Sequence, residues 1–422
     1  MKKQKTEIKT EIIAGITTFF AMAYILVLNP QILGAAGMPI DALFTATALA
    51  AGIGCILMGV ISNRPLAVAS GMGINAYFAY TLVISLGITW QVALATAFIS
   101  SLFILLVAIS NIDISRAVPE SFKNSLIAAL GIFLVFIGMQ SMHFVVANPA
   151  TLISLGDITS TATLVGILGF FLTAILVVKN VKGALFVGMM LTTLIAILIG
   201  FSNLPTEIFS LPPSPEPLFF KMDLSSALKL SMIPIIFALF LVTFFDCVGT
   251  NIALLTKAGY LKKDGQVSGF RQTLISDGLN GILSSIFGTS NQVTYLESAS
   301  GIESGGRTGV TAIVVGVLFL CSLFFFPIIK SIPSEAVAPV VIIVGLLMLS
   351  SINKVTFLDS AETLSSLLMV VTIPLTYSIS YGIAAGSITF VILKLVLGKN
   401  TDIQPAMYFI AFLSVLDLVG AI

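Results

Sequence analysis

The chain has 422 residues, 57% of them hydrophobic and only 9% charged, with a mean hydropathy of +1.10 and a net charge of +1. A soluble domain carries about 25% charged residues, so a water-solvated fold would have too little polar surface here, and lipid is the solvent that suits the composition. Nothing in so small a net charge points to a nucleic-acid partner, and none is expected.

A helix that crosses the hydrocarbon needs about 20 apolar residues. The chain is therefore long enough for roughly a dozen spans with short connections, with no room left for a soluble domain. The amino terminus, MKKQKTEIKTEIIAGITTFF, looks superficially like a signal peptide. Its apolar run is too long, and Asn29-Pro30 is no small-residue cleavage site, so it reads as a permanent first span. Apolar runs then follow one another at 12–33, 42–61, 66–87, 91–109, 122–142, 161–178 and 183–201. After the Pro-rich loop around Pro212–Pro217 they resume at 227–254, 270–288, 290–304, 308–329, 335–352, 361–379 and 381–397, with a last apolar stretch at 406–420. The fold class expected is all-α integral membrane, with about fourteen spans. Two runs are poor helices: the third opens LAVASGMGINA, and the tenth reads SNQVTYLESASGIES with two carboxylates. Cys55, Cys247 and Cys321 lie inside apolar runs and read as small buried hydrophobes, with no disulfide or metal framework.

Charge tests the count, because cytoplasmic loops collect Lys and Arg. With the amino terminus inside and strict alternation, 17 of the 20 Lys and Arg fall inside, including Lys2, Lys3, Lys5, Lys9, Arg116, Lys263, Lys394 and Lys399; only Lys221, Lys229 and Lys330 fall outside. Dropping either weak run would invert every later loop, so both must return the chain across the membrane. Dividing the chain near residue 205 makes each weak run the third of seven. Seven is odd, so the halves have opposite orientation, the signature of an inverted repeat with its site at the interrupted segments. Each is expected as a short extended stretch plus a half-helix, whose free N–H groups favour a carboxylate, an anion or a hydrogen-bond acceptor. Close packing of small residues accounts for Gly52 and Gly54, but not for polarity concentrated in spans 3 and 10.

Ionisable groups inside spans mark function. Asp246 lies in the eighth span, Asp277 in the ninth and Glu297 in the tenth. Asp246 and Glu297 read as functional; Asp277 could equally pin two helices through Ser and Thr neighbours. Glu303 and Arg307 read as a boundary pair, and Asp417 as a residue near a helix end. The one histidine, His143, sits after the fifth span as an interface residue. No HExxH, GxSxG or Walker sequence is present, so neither an embedded hydrolase nor an ATP-driven pump is expected.

TTFFAMAYILVLNPQIL, ASGMGINAYFAY, FFDCVGTN, GTSNQVTYLESASGIESGGRTG and PLTYSISYGIAAG together resemble the azaguanine-like hypoxanthine/guanine/adenine permeases of the nucleobase transporters. The resemblance runs from about residue 7 to 410. It implies a core domain of spans 1–4 (1–111) and 8–11 (205–333), and a gate domain of spans 5–7 (112–204) and 12–14 with the carboxy-terminal segment (334–422). It implies proton-coupled uptake of purine bases by movement of core against gate. Ala69-Ser70 stands where these permeases commonly have Ala-Pro, Asn291-Gln292 interrupts the usual Ser/Thr/Val entry to span 10, and span 13 lacks an opening Pro. The expected substrate residues are Glu297, Asp246 and Asn75, with Asp246 and Glu297 as candidates for the proton. A purine is flat and edged with donors and acceptors, so carboxylates can accept its N–H bonds and aromatic faces can stack on it. Phe19, Phe20, Tyr24 and Phe245 are the ring candidates. An anion transporter of the same fold and a non-transporting receptor stay open as alternatives, whereas a channel lacks a continuous polar pore. The lipid bilayer, a purine base and a proton are the expected partners, a homodimer is left open, and no cofactor or metal is expected. The expected location is the plasma membrane with both termini cytoplasmic.

Overall fold

The computed structural model describes residues 7–110, 118–205, 207–262, 266–355 and 359–418, the side chain of Asp417 excepted. Lys2, Lys3, Lys5, Arg116 and Lys263 of the charge count, and the Asp417 side chain, lie outside the described residues. Among the described residues nine helices are long and apolar enough to cross a membrane: Ile8–Gly34, Ile40–Ser62, Trp90–Ser110, Glu120–Ser141, Thr161–Val178, Leu230–Lys257, Gly309–Lys330, Ser334–Lys354 and Ile379–Val396. They correspond to spans 1, 2, 4, 5, 6, 8, 11, 12 and 14.

The other five expected spans fall short for different physical reasons. Spans 7 and 13 are brief, Ala184–Leu198 with 15 residues and Ser360–Thr376 with 17. Span 9, Phe270–Phe287, is long enough but carries a buried polar stripe, Ser276, Asp277, Asn280 and Ser284, at helical spacing. Spans 3 and 10 are broken. Span 3 is strand β1 (Val68–Ser70) followed by a helix from Met72. Two further strands, β2 (Val145–Asn148) and β3 (Leu152–Leu155), form an unanticipated hairpin after span 5. Span 10 is β4 (Gln292–Thr294) followed by the short helix Ser298–Glu303.

β1 and β4 pair antiparallel, Val68 opposite Thr294 and Ser70 opposite Gln292. Main-chain bonds from Gly71 N–H to the Asn291 carbonyl (3.1 Å) and from Tyr295 N–H to the Ala67 carbonyl (2.9 Å) extend the ladder. All six paired residues are buried. Backbone that leaves helical geometry away from water needs such partners, and each broken span supplies them to the other. Beyond Ala76 the helix of span 3 widens into a π-helix, Tyr77–Ser85.

The spans pack as two bodies. Span 2 lies on spans 9 and 11, span 4 on spans 8 and 9, and span 1 on spans 10 and 11. Spans 5, 6, 7, 12, 13 and 14 pack on one another. Close approach is carried by glycine: a side chain on Gly59 would collide with the Gly309 carbonyl, and one on Gly131 with the Gly345 carbonyl. Gly54 is required for a different reason, since a side chain there would run into Gln292 and Val68 at the strand crossing.

The helix of span 1, Ile8–Gly34, tightens through one turn at Ala23 and Tyr24, both of which keep right-handed helical dihedrals. Two smaller expectations are corrected. Cys55 and Cys247 are buried, but Cys321 is exposed on the outside of its helix. Glu303 pairs with Lys257 at 2.5 Å rather than with Arg307, because the Arg307 guanidinium is spent on the Ile302 and Gly306 carbonyls.

Candidate functional site

The candidate site lies where β1 and β4 cross. Neither Met72–Ala76 nor Ser298–Glu303 has a side-chain cap at its N-terminus; at the second, the N–H groups of Ser298, Ala299 and Ser300 donate to the carbonyls of Tyr295, Leu296 and Glu297 at 3.1, 2.9 and 3.0 Å. Glu297 occupies the N-cap position of the second half-helix and is half-buried. The Tyr24 hydroxyl donates to Glu297 Oε1 at 2.5 Å across 273 residues of sequence. Asp246, on the middle of span 8, is also half-buried and close enough to Glu297 for their charges to interact. Its one described side-chain donor is the Thr250 hydroxyl at 3.5 Å, a weak bond. Beside Glu297, Leu296 is 58% exposed, so the strand-to-helix junction of span 10 is open on one side.

The other expected residues fall into place unevenly. Asn75 is fully enclosed; Ser290 donates to its Oδ1, and its Nδ2 has no protein partner. Phe245 is buried with its ring edge-on to Phe244 at 5.6 Å, and Lys123 of span 5 lies over it at 5.8 Å. Phe19 sits edge-on to Phe319 of span 11 at 5.1 Å and to Phe20 at 5.5 Å. Phe20 is itself largely exposed and faces Phe186. The structure thus brings Tyr24, Asp246 and Glu297 together, while the described ring contacts of Phe19 join span 1 to span 11.

Asp277 has a defined set of partners. Asn251 Nδ2 donates to Oδ2 at 2.6 Å and Thr294 Oγ1 donates to Oδ1 at 2.9 Å, so the carboxyl joins span 8 and strand β4 to span 9. With 1% exposure it is shut off from solvent. Asn251, Thr294 and Asn280 were not singled out from the sequence. The signal was available in span 9, where polar residues recur three and four apart on one face. For Asn251 and Thr294 no local pattern exists. Asn291, which departs from the usual entry to span 10, donates to Ser100 at 2.9 Å and Ser101 at 2.8 Å of span 4, anchoring β4 from behind. Asn29 similarly donates to Thr47 at 2.6 Å and Thr289 at 2.8 Å. The residues around the crossing are therefore held by neutral amides and hydroxyls, and the site itself presents two carboxylates with no ion-pair partner among the described residues.

Three comparisons bear on this arrangement. The profile of the Permease family matches residues 9–385. The chain is 38% identical to the adenine permease AdeP of Escherichia coli over 421 residues, covering 99% of this chain and 94% of that one. It is 38% identical to the guanine/hypoxanthine permease PbuG of Bacillus subtilis over 423 residues, covering 97% and 96%. Among solved structures, the transmembrane domain of the cyanobacterial bicarbonate transporter BicA superposes with a TM-score of 0.64 at 15% identity, covering 91% of this chain and 98% of that one. The murine solute carrier 26 family member A9, an anion transporter in its inward-facing state, superposes with a TM-score of 0.68 at 12% identity, covering 94% and 69%. At such identities these two structures establish the shared fold of core and gate with inverted repeats, and nothing about cargo.

Proposed function

The chain belongs to the Permease family, and on that premise we propose that it is a secondary transporter importing purine bases of the adenine, guanine and hypoxanthine type together with protons. The names of the relatives support the substrate class. The observation that carries the reading is the pair of half-buried carboxylates, Asp246 and Glu297, with no ion-pair partner among the described residues, at the crossing of two broken spans. An anion site needs the reverse, a positive group facing the cargo, so bicarbonate-like cargo does not suit these residues. A neutral base with N–H edges does.

In this reading Glu297 accepts N–H bonds from the base. The Asn75 amide and the first N–H groups of the span-3 half-helix, which has no side-chain cap, donate to its carbonyl or ring nitrogen, and Phe245 supplies an apolar wall. Asp246 takes and releases the proton, because with no ion-pair partner among the described residues protonation is the inexpensive way to neutralise it in an apolar span. The body of spans 1–4 and 8–11, residues 1–111 and 205–333, carries the site. It moves against residues 112–204 and 334–422 in the plasma membrane. Both termini are assigned to the cytoplasm.

The test is uptake of radiolabelled hypoxanthine, guanine and adenine into proteoliposomes holding the purified protein, with and without an inward proton gradient. Accumulation of at least one base that collapses with the gradient is expected. Uptake that ignores the proton gradient but follows a sodium gradient would replace the coupling ion, and no uptake of any of the three would remove the purine assignment.

A further inference from the structure

Span 1 tightens at Ala23 and Tyr24, both in right-handed helical dihedrals. Pro30 acts on the turn before it, since its ring removes the bond to the Leu26 carbonyl. The chain tightens there, with Leu26 N–H reaching back to the Ala23 carbonyl at 3.1 Å. At this turn the Tyr24 phenol points across to the break in span 10, where its hydroxyl meets Glu297.

Tyr24 is 1% exposed, so its ring presents no free face on which a base could stack. Its chemistry lies in the hydroxyl. Among the described residues Glu297 has no ion-pair partner, and the Tyr24 hydroxyl is its one described side-chain donor. A hydroxyl-to-carboxylate bond of 2.5 Å is in the range of strong, charge-assisted bonds. A glutamate side chain has three rotatable bonds, and one donor fixed in a packed core is enough to select a single orientation for it.

We infer that Tyr24 is a positioning residue for substrate: its hydroxyl holds one oxygen of Glu297, so that the carboxylate meets the base in one fixed orientation. This rests on the reading of Glu297 as the group that binds the base. It assigns Tyr24 no direct contact with the base, in contrast to the stacking role expected from the sequence. Span 1 thereby aims the residue carried by the broken span 10.

The test is a double-mutant cycle on the purified full chain, read as the affinity for whichever of hypoxanthine, guanine and adenine the wild type binds. Tyr24→Phe removes the hydroxyl and keeps the ring, and is expected to weaken binding by about tenfold to a hundredfold, the value of a bond to a charged group. Glu297→Asp keeps the charge but draws it back by one methylene, out of reach of the phenol, and is expected to lose a comparable factor. The two losses should not multiply: adding Tyr24→Phe to Glu297→Asp should cost less than threefold more, because the bond is already gone. A merely structural tyrosine would give multiplying losses. Unchanged affinity in Tyr24→Phe, or losses that multiply in the double variant, would overturn the inference. If the Tyr24→Phe protein does not fold, full affinity in Glu297→Asp overturns it equally. Wild-type protein that binds none of the three bases removes the functional reading and this inference with it.

Discussion

At the scale of single residues, the site depends on what can neutralise or satisfy a carboxylate away from water. Glu297→Gln keeps size and shape but turns one acceptor into a donor, which then faces the Tyr24 hydroxyl or the N–H edge of a base. Mismatched buried polar pairs cost about 1–3 kcal/mol, so purine affinity should fall by about five- to a hundredfold. Near-native affinity in an equilibrium binding measurement would withdraw Glu297 from the site. Asn75→Ala should do less, since it loses one neutral amide already engaged by Ser290. Asp246→Asn mimics the protonated state. It should still bind purine and exchange it across the membrane, but fail to accumulate it at any pH. A variant that concentrates substrate with the wild-type dependence on the proton gradient would show that Asp246 is not the coupling residue. These carboxylates were legible in the sequence because a charge inside an apolar run stands out. Tyr24 was legible only as an aromatic residue, since its partner is 273 positions away.

At the scale of elements, span 3 links the two bodies. The Tyr77 hydroxyl lies 2.8 Å from the Ser380 hydroxyl of span 14, and Thr81 donates to the Tyr377 carbonyl at 2.7 Å. Tyr377 holds a left-handed conformation, φ +54°, and its ring lies among Tyr80, Phe133 and Phe136 while its hydroxyl donates to Gln140. A non-glycine residue in that region is strained and persists only where its surroundings hold it. Thr81→Val combined with Tyr77→Phe removes two bonds of about 0.5–1.5 kcal/mol each, with little change of shape. Hydrogen exchange should then speed up at residues 377–382 and leave span 2 unchanged. Equal exchange in variant and wild type would mean that these bonds do not hold the bodies together. None of this was readable beforehand: Gly and Ser announced that span 3 would break at its start, but the π-helical second half and its partners follow from packing.

At the scale of the whole molecule, the ends of the helices are tied by charge. Lys394 is buried near the end of span 14 and reaches Asp359 at 3.1 Å and Glu362 at 3.3 Å, while Lys399 reaches Asp359 at 2.7 Å. Asp359 also caps span 13 by accepting from Ala361 and Glu362 N–H. Lys399 first, then Lys394 and these N–H groups, hold the Asp359 carboxyl well below the ordinary carboxylate range. A carboxyl lowered in the folded state stabilises above its unfolded value, about 3.9, and that contribution fades as pH falls from there toward the folded value. Asp359→Asn should therefore melt below the wild type in detergent at pH 7, with the gap closing as pH drops below about 4. A gap that stays constant with pH would place the stabilisation elsewhere. Orientation belongs to this scale too. In the proposed orientation, with the Lys-rich and Arg-rich loops and both termini in the cytoplasm, a cysteine replacing Lys3 should resist a membrane-impermeant thiol reagent in intact cells. Labelling from outside would reverse the assignment.

Composition and periodicity alone determined the solvent, the approximate number of spans and the two interrupted segments. Each of these follows from the cost of polar groups in hydrocarbon, which is felt locally, residue by residue. Span 9 shows the limit: its length and its polar stripe could be read, but not that Asp277 would be closed off by Asn251 and Thr294. Tertiary structure alone decided the register of β1 on β4, the contact of Tyr24 with Glu297, and the burial of Lys394, a residue that sequence placed near the end of span 14. These depend on contacts between segments far apart in the chain, whose energy exists only once both have been brought together. The hydroxyl on Glu297 is the sharpest case, since nothing about the residues flanking Tyr24 distinguishes it from an ordinary packed ring.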